Sequence, residues 1–258
     1  MDLYVPAASN PEHAVRWSLS QKMYTDLLIR CDNGKHEILV PKAVVCPQSK
    51  FLQNSCKKEW AKTTTREDGP TTVVELPDDS IVAVNAMIDY FYHHTYFPQI
   101  YSSTGTSQAD TAIKSAWKAS ESQCHLKVFV ITDKYGLDHL HAHARQEFSK
   151  SLRSISQQSD FAIIMKAVYE NTGPSDPLRS DTATMFAKHY KKAIKGDSDK
   201  LTEIIAELLE FGTDLAKALC RRFDRLRSKY TIRIQTSWNS KWRSGDTNSD
   251  GSSDSEPE

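Results

Sequence analysis

The sequence predicts an α/β protein whose back half is entirely helical. Two short apolar-rich runs lie on either side of Asn33-Gly34, which is the pattern of a β-hairpin. A third short run, over residues 72–76, is rich in β-branched residues and predicts another strand. Beyond residue 80, apolar side chains recur every three or four residues, as they do on one face of a helix.

The composition is that of a globular chain with no net charge. The 258 residues include 33 basic and 33 acidic side chains, and this length suits one large or two small domains. The longest apolar runs contain four or five residues, so we expect no membrane span. The first residues lack the pattern of a secretory signal, and the five cysteines form no CxxC pair. We therefore expect reduced thiols in an intracellular protein, either cytoplasmic or nuclear.

Short elements are predicted before residue 77. Residues 1–20 are expected to form an irregular or weakly helical N-terminal segment, and the hairpin begins near Tyr24. Pro41 and Pro47 suit the openings of two short helices. The second helix is predicted over residues 48–58, with three side chains facing inward: Phe51, Leu52 and Cys56. A polar loop over residues 63–69 then leads to the third strand.

A capped helix and a polar insertion come next. Asp78-Asp79-Ser80 is expected to cap a helix by accepting its free N–H groups. Residues 98–123 are poor in apolar side chains, which predicts a flexible surface insertion. Order is expected to return at residue 126. Two inward-facing helical stripes are predicted, one before and one after the insertion: Ile81, Val84, Ile88 and Phe91, then Leu137, Leu140, Ala144 and Phe148.

The remainder divides into helices and a tail. Helices are predicted near residues 159–171, 180–195, 199–211 and 213–230, separated by breaks that contain glycine. Residues 244–258 include five acidic side chains, no basic one and no apolar one, so we expect a disordered acidic tail there.

Motifs for nucleotide and catalytic chemistry are missing from the sequence. The nine glycines are spaced too widely for a G-x-G-x-x-G loop or a P-loop, and no G-x-S-x-G elbow occurs. His139 and His143 share a helix face without a third ligand nearby, and with His141 they are expected on a solvated surface. Helix caps and starts explain the aspartates at 78–79 and 133. We therefore expect no enzyme, no metal and no cofactor.

Several segments resemble, in order, the BTB/POZ family in its fungal form. They are residues 25–27 (TDL), 42–51 (KAVVCPQSKF), 75–80 (ELPDDS) with 87–92 (MIDYFY), and 128–137 (VFVITDKYGL). The resemblance implies a BTB/POZ domain over residues 21–150, in which a small mixed sheet flanks a helical cluster (an α+β arrangement). Val168-Tyr169-Glu170 and Leu178-Arg179 resemble the helical extension of fungal members, which implies such an extension over residues 151–243.

The family resemblance implies a protein–protein interaction module that self-associates as a homodimer or acts as an adaptor. Members that recruit a cullin ubiquitin-ligase scaffold often carry hydrophobic-x-Glu in the helix after the third strand. This chain has Val84-Asn85-Ala86 there, and Pro41 replaces a histidine common in the family, so cullin recruitment is doubtful. The residues expected to face a partner on this helix are Val84, Asn85, Asp89 and His93.

The last predicted helix combines an apolar face with a basic one. Leu215, Leu219, Phe223, Leu226 and Tyr230 follow one face, and Lys217, Arg221 and Arg225 form a basic patch on the opposite face. Residues 217–243 contain nine basic side chains and one aspartate, with Trp238 and Trp242 between them. Such a segment is ordinarily the solvated face of a packing helix. The alternatives are a nuclear factor that contacts nucleic acid here, or an acidic protein partner, with the tail screening the patch.

Overall fold

A computed structural model describes residues 24–57, 59, 61–66, 69–98, 111–154, 158–193 and 198–243. The predicted N-terminal segment 1–20 and the predicted acidic tail 244–258 lie outside this part of the chain. Within it, four strands form a mixed sheet, and helices pack against the sheet and against one another. None of the helices in these ranges has the length and hydropathy needed to span a membrane.

The sheet contains β1 (Leu27–Cys31), β2 (His36–Val40), β3 (Lys62–Arg66) and β4 (Gly69–Leu76). Its strand order is β2-β1-β4-β3. β1 is antiparallel to β2 and parallel to β4, while β3 is antiparallel to β4. A parallel pair needs a crossover connection, and the short helices between β2 and β3 lie in that connection. The small mixed sheet is therefore confirmed.

The predicted hairpin at Asn33-Gly34 is also confirmed. Asp32, Asn33 and Gly34 adopt left-handed backbone angles, with φ of 52°, 55° and 80°. Glycine, asparagine and aspartate tolerate this region better than other residues do, which explains why the chain turns here. The amides of Asp32 and Asn33 donate to the carbonyl oxygens of Asp79 and Pro77, at 3.0 and 2.8 Å, and tie the turn to the loop after β4.

The polar loop predicted over residues 63–69 is wrong, because most of it belongs to strands. Lys62–Arg66 forms β3 at the edge of the sheet, and Gly69 begins β4. Edge strands keep mostly exposed side chains, so the polar sequence of this strand resembles that of a loop. Its three threonines are β-branched and suit a strand.

Two short helices and a 3₁₀ turn connect β2 to β3. They are α1 (Lys42–Val45), the turn Cys46–Gln48, and α2 (Lys50–Ser55). α2 is shorter than the predicted helix over 48–58. It begins at Lys50, because Ser49 caps its start by accepting a hydrogen bond from the amide of Leu52 at 3.3 Å, and it ends at Ser55. Leu52 is buried as predicted. Phe51 is only half-buried, and its ring lies 4.4 Å from that of Tyr135.

Three longer helices form the cluster beside the sheet: α3 (Ile81–His93), α4 (Thr111–Tyr135) and α5 (Asp138–Ser154). Ser80 caps α3, since its Oγ accepts a hydrogen bond from the amide of Ala83 at 3.4 Å. The predicted inward positions are buried, except for the half-buried Ile81: Val84, Ile88, Phe91, Leu137, Leu140, Ala144 and Phe148.

The predicted insertion over residues 98–123 is too long, because α4 already begins at Thr111. Ser122 is fully buried, and its hydroxyl lies 2.7 Å from that of Ser151 on α5. Alanine, lysine, glutamine and glutamate in this stretch favour a helix once it is continuous with the buried end of α4. Residues 99–110 lie outside the described part of the chain.

Further helices follow the cluster: α6 (Gln158–Asn171), α7 (Pro177–Ala193), α8 (Ser198–Glu207) and α9 (Leu209–Arg243). Their core is aromatic, with the ring of Phe186 lying 5.5 Å from that of Phe161 and 5.6 Å from that of Phe211. Gly212 does not separate two helices, as the sequence suggested. It lies inside α9, where an added Cβ would stand 3.3 Å from Ile205 Cγ2 on α8, so glycine allows the two helices to approach closely.

Arg179 joins α7 to its neighbours from a buried position. Its guanidinium donates to the carbonyl oxygen of Tyr169 at 2.9 Å and also to that of Thr172. It forms an ion pair with Glu210 at the start of α9 and lies over the ring of Tyr169, 4.7 Å from its centroid. A buried charge is tolerated only when it is paired and hydrogen-bonded, and these contacts meet that requirement.

Candidate protein-binding surfaces

The α3 face predicted to meet a partner contains three half-buried polar side chains: Asn85, Asp89 and His93. Burial raises the pKa of Asp89 above its usual range, and the nearby His93 partly offsets that effect. The ring of His93 places Nδ1 3.0 Å from the carbonyl oxygen of Asp89. Val84 is fully buried, so it cannot contact a docked protein and is removed from the candidate surface.

Ala86, which stands where cullin-recruiting members of the family often carry a glutamate, is a core residue. Its side chain is 3% exposed, so a glutamate at this position would be buried and not presented to a partner. The absence of glutamate at residue 86 therefore changes no side chain that this surface presents. Asp89 is the carboxylate that α3 presents at its partly exposed face.

A cleft of about 360 Å³ lies where the start of α3 meets α4 and α6. Asp79 is at its edge, and its carboxylate accepts hydrogen bonds from the hydroxyl of Tyr135 at 2.5 Å and from Lys134 Nζ at 3.0 Å. Asp79 therefore holds the end of α4 against the loop after β4, whereas the capping side chain of α3 is that of Ser80. Both contacts are structural.

The histidines of α5 do not share one solvated surface. His139 is exposed, whereas His141 and His143 are half-buried, which corrects the expectation for these two. The ring of His143 lies 5.5 Å from that of Tyr90 and 5.6 Å from that of Tyr96. Among the described residues, no three histidine, cysteine, aspartate or glutamate side chains are placed to hold a metal ion.

His125 is a buried polar residue that the sequence reasoning missed. Its Nδ1 lies 2.8 Å from the hydroxyl of Tyr96, 29 residues away, and burial lowers the pKa of His125 to about 4. Local sequence carries no signal for such a pair, because Tyr96 and His125 meet only through tertiary packing.

The N-terminal part of α9 belongs to the core and the rest does not. Leu215 and Ala218 are buried, and Arg222 donates to the carbonyl oxygen of Ala187 on α7. Beyond Arg222 the apolar side chains are exposed: Phe223 is 69% exposed and Tyr230 is 70% exposed. The predicted packing face Leu215–Tyr230 is therefore wrong in its second half.

The basic patch of α9 is exposed along its length. Lys217, Arg221 and Arg225 all face solvent, and Lys217 Nζ lies 3.3 Å from a carboxylate oxygen of Asp214. The side chains of Trp238 and Trp242, which supported the hypothesis of nucleic-acid binding, lie outside the described part of the structure. The first half of this helix thus carries structural contacts, and the second half carries an apolar face bordered by positive charge.

Comparison with known proteins agrees with the fold. The family model of the BTB/POZ domain matches residues 17–152, which is more than half of the chain. The matched segment contains the sheet, helices α1 to α4 and all but the last two residues of α5. No curated protein gives a significant match to the chain.

Proposed function

The chain belongs to the BTB/POZ family, whose domains are in general protein–protein interaction modules, and from this premise we propose that it is a non-enzymatic adaptor or scaffold. In this proposal the BTB/POZ domain binds one protein partner, and we expect that partner to be a second copy of the chain, so that the two form a homodimer. The second half of α9 holds a different protein. The helices between the two surfaces fix the distance between the partners.

The observation that supports the second surface is the exposure of large apolar side chains on one face of α9. Phe223, Leu226 and Tyr230 lie on that face, at spacings of three and four residues. Clustered apolar side chains on the surface of a folded chain usually mark a site of interaction. Burying them against a partner removes apolar area from water at about 25 cal/mol per Å².

The proposal is tested by capture experiments with the full chain and matched variants. Leu226→Ser and Tyr230→Ser remove side chains from the exposed face, while Ile232→Ser removes an exposed apolar side chain from the other side of the same helix. We expect specific proteins to be retained by the wild type and by Ile232→Ser but lost from the other two variants. Their binding is then measured with purified components. Equal retention by all four chains contradicts a partner on this face.

Self-association is tested separately by light scattering of the full chain. If the BTB/POZ domain carries it, Leu226→Ser leaves the dimer mass unchanged. A dimer that dissociates in Leu226→Ser, but not in Ile232→Ser, would assign self-association to α9 and contradict this division of surfaces.

Nucleic acid is a second candidate partner, favoured by the charge of α9. Residues 221–233 contain six basic side chains and one acidic one. Phosphate contacts release counterions, so such binding must weaken steeply as salt rises. Binding of duplex DNA that persists at low salt in Leu226→Ser, and is lost on charge reversal at Arg221 and Arg225, would support this candidate.

A role as substrate adaptor of a cullin ligase would use the α3 face. Asn85, Asp89 and His93 form that face. Of the two departures that argue against this role, Ala86 is buried, whereas Pro41 in place of the family's common histidine remains. Direct titration of the full chain with a purified cullin scaffold decides whether this third candidate stands.

A further inference from the structure

The exposed face of α9 follows a heptad repeat. Leu209, Ala216, Phe223 and Tyr230 are separated by seven residues each, and Leu219 and Leu226 stand three residues after Ala216 and Phe223. In heptad notation these are a and d positions, which form the seam where one helix packs against another. We call residues Leu209, Ala216, Phe223, Leu226 and Tyr230 the seam; Arg233, at the next d position, ends it.

All five residues of the seam are exposed, whereas Leu219, at a d position between them, is partly buried against the chain's own core and is not included. At its base, a groove of about 730 Å³ between α8 and α9 is lined by apolar atoms of Ile205, Leu209 and Ala216. Leu209 is 78% exposed, and Phe223 and Tyr230 continue the same face beyond the body of the protein. At 1.5 Å per residue, the 22 residues from Leu209 to Tyr230 extend about 33 Å, which corresponds to about three heptads.

The side chains beside the free part of the seam are basic. Arg227 occupies an e position and Lys229 a g position, so they border the seam on opposite sides. Both are exposed. In coiled coils, e and g side chains meet the partner helix and select it by charge.

These charges disfavour a second copy of α9 as the occupant. In a parallel pair, Arg227 would face Arg222 of the other copy, and in an antiparallel pair like-charged e and g positions would also meet. The chain's own tail is unsuitable for another reason. Residues 244–258 are acidic but contain no apolar side chain, so they can screen the basic side chains and cannot fill the seam.

We propose that the seam of α9 binds an acidic amphipathic helix, with apolar side chains at its a and d positions and carboxylates at its e and g positions. This inference rests on the proposed function, in which the second half of α9 carries a protein partner. The apolar positions provide the buried contact, and pairing of carboxylates with Arg227 and Lys229 sets the choice of partner.

The test uses the full chain and a labelled synthetic helix of about three heptads, with leucine at a and d and glutamate at e and g. One control peptide has the same composition in scrambled order, and the other has lysine in place of glutamate. We expect only the acidic amphipathic peptide to bind. Leu226→Ser should weaken it at least about tenfold, or about 1.4 kcal/mol, and Ile232→Ser should leave it unchanged.

Two charge-reversal variants separate pairing at the seam from general attraction. Arg227→Glu with Lys229→Glu reverses the charges beside the seam, and Arg66→Glu with Arg153→Glu makes the same net change at exposed positions of β3 and α5, away from α9. We expect the first variant to lose the acidic peptide and to bind the lysine peptide, whereas the second weakens binding only through its overall charge. Circular dichroism confirms that each variant is folded.

Several results overturn the inference. Equal binding of the scrambled acidic peptide would show attraction to any polyanion, and equal loss in the two reversal variants would show the same. Duplex DNA that binds more tightly than the peptide, without sensitivity to Leu226→Ser, would assign the surface to nucleic acid. If no peptide binds while Leu226→Ser still loses proteins captured by the wild type, the proposed function stands and the chemistry of its partner is different.

Discussion

Lowering the pH from about 7 to about 4.5 is expected to destabilise the fold through His125. This buried side chain lies on α4, with Nδ1 2.8 Å from the hydroxyl of Tyr96 and Nε2 3.9 Å from a carboxylate oxygen of Glu121. Burial is the largest cause that lowers the pKa of His125 from 6.5 to about 4. Glu147 acts in the opposite direction, and His143 and Lys150 lower the pKa further.

The sign follows from the protons bound in each state. Between about pH 4 and 6.5 the unfolded chain protonates this histidine and the folded chain does not, so stability is complete above pH 6.5 and falls towards pH 4. The two pKa values differ by about 2.5, and each pH unit corresponds to about 1.4 kcal/mol. His125 therefore contributes about 3 kcal/mol of stability at neutral pH that is lost by about pH 4.

Urea unfolding of the wild type and of His125→Gln at several pH values measures this contribution. Glutamine keeps a polar group for the hydroxyl of Tyr96 but does not titrate. Other ionisable groups titrate in both proteins, so their contributions cancel in the difference. We expect the free energy of unfolding of the wild type to fall more steeply than that of the variant as the pH drops below about 6.5. Parallel pH profiles of the two proteins would show that His125 does not contribute this stability.

Three further predictions concern stability and binding. Arg179→Leu should lower the free energy of unfolding, measured with urea, by about 3 kcal/mol, because the carbonyl oxygens of Tyr169 and Thr172 lose their buried donor. Arg179→Lys should retain only part of this stability. Ile88→Ala should lower the free energy of unfolding by about 2–5 kcal/mol, because Ile88 is buried. Phe51→Ala should lower it by less than the roughly 3–5 kcal/mol typical of a fully buried phenylalanine, because Phe51 is half-buried. Equal melting temperatures for the wild type and Ile88→Ala would contradict the first of these. Asp89→Asn should leave the fold intact and reduce binding of any protein docked on the α3 face, as calorimetric titration would show.

Features with a local signal could be predicted from the sequence. The hairpin depends on residues that tolerate left-handed angles at Asn33-Gly34, and the start of α3 depends on the hydroxyl of Ser80. The buried stripe that includes Leu140 and Phe148 follows from helical spacing alone. In each case the determinant lies within a few residues of the element.

Features that depend on distant contacts could not be predicted in this way. β3 is a strand because β4 pairs with it, and its exposed polar side chains resemble those of a loop. His125 is buried with Tyr96 only because the end of α3 and the middle of α4 pack together.

The seam of α9 shows the same limit for the functional surface. The apolar spacing of Phe223, Leu226 and Tyr230 is the same whether the face packs on the chain's own core or remains free for a partner. The sequence favoured internal packing, and the structure leaves all three side chains exposed. Only the position of α9 relative to the other helices distinguishes the two cases.

The seam of α9 is proposed as the docking surface for an acidic amphipathic helix. Hydrogen exchange of the full chain, with and without the acidic amphipathic peptide, locates this surface because protection is measured residue by residue along the chain. We expect slower exchange over residues 220–236 on binding, with that effect lost in Leu226→Ser and retained in Ile232→Ser. Unchanged exchange over these residues, or protection confined to the BTB/POZ domain, would contradict it.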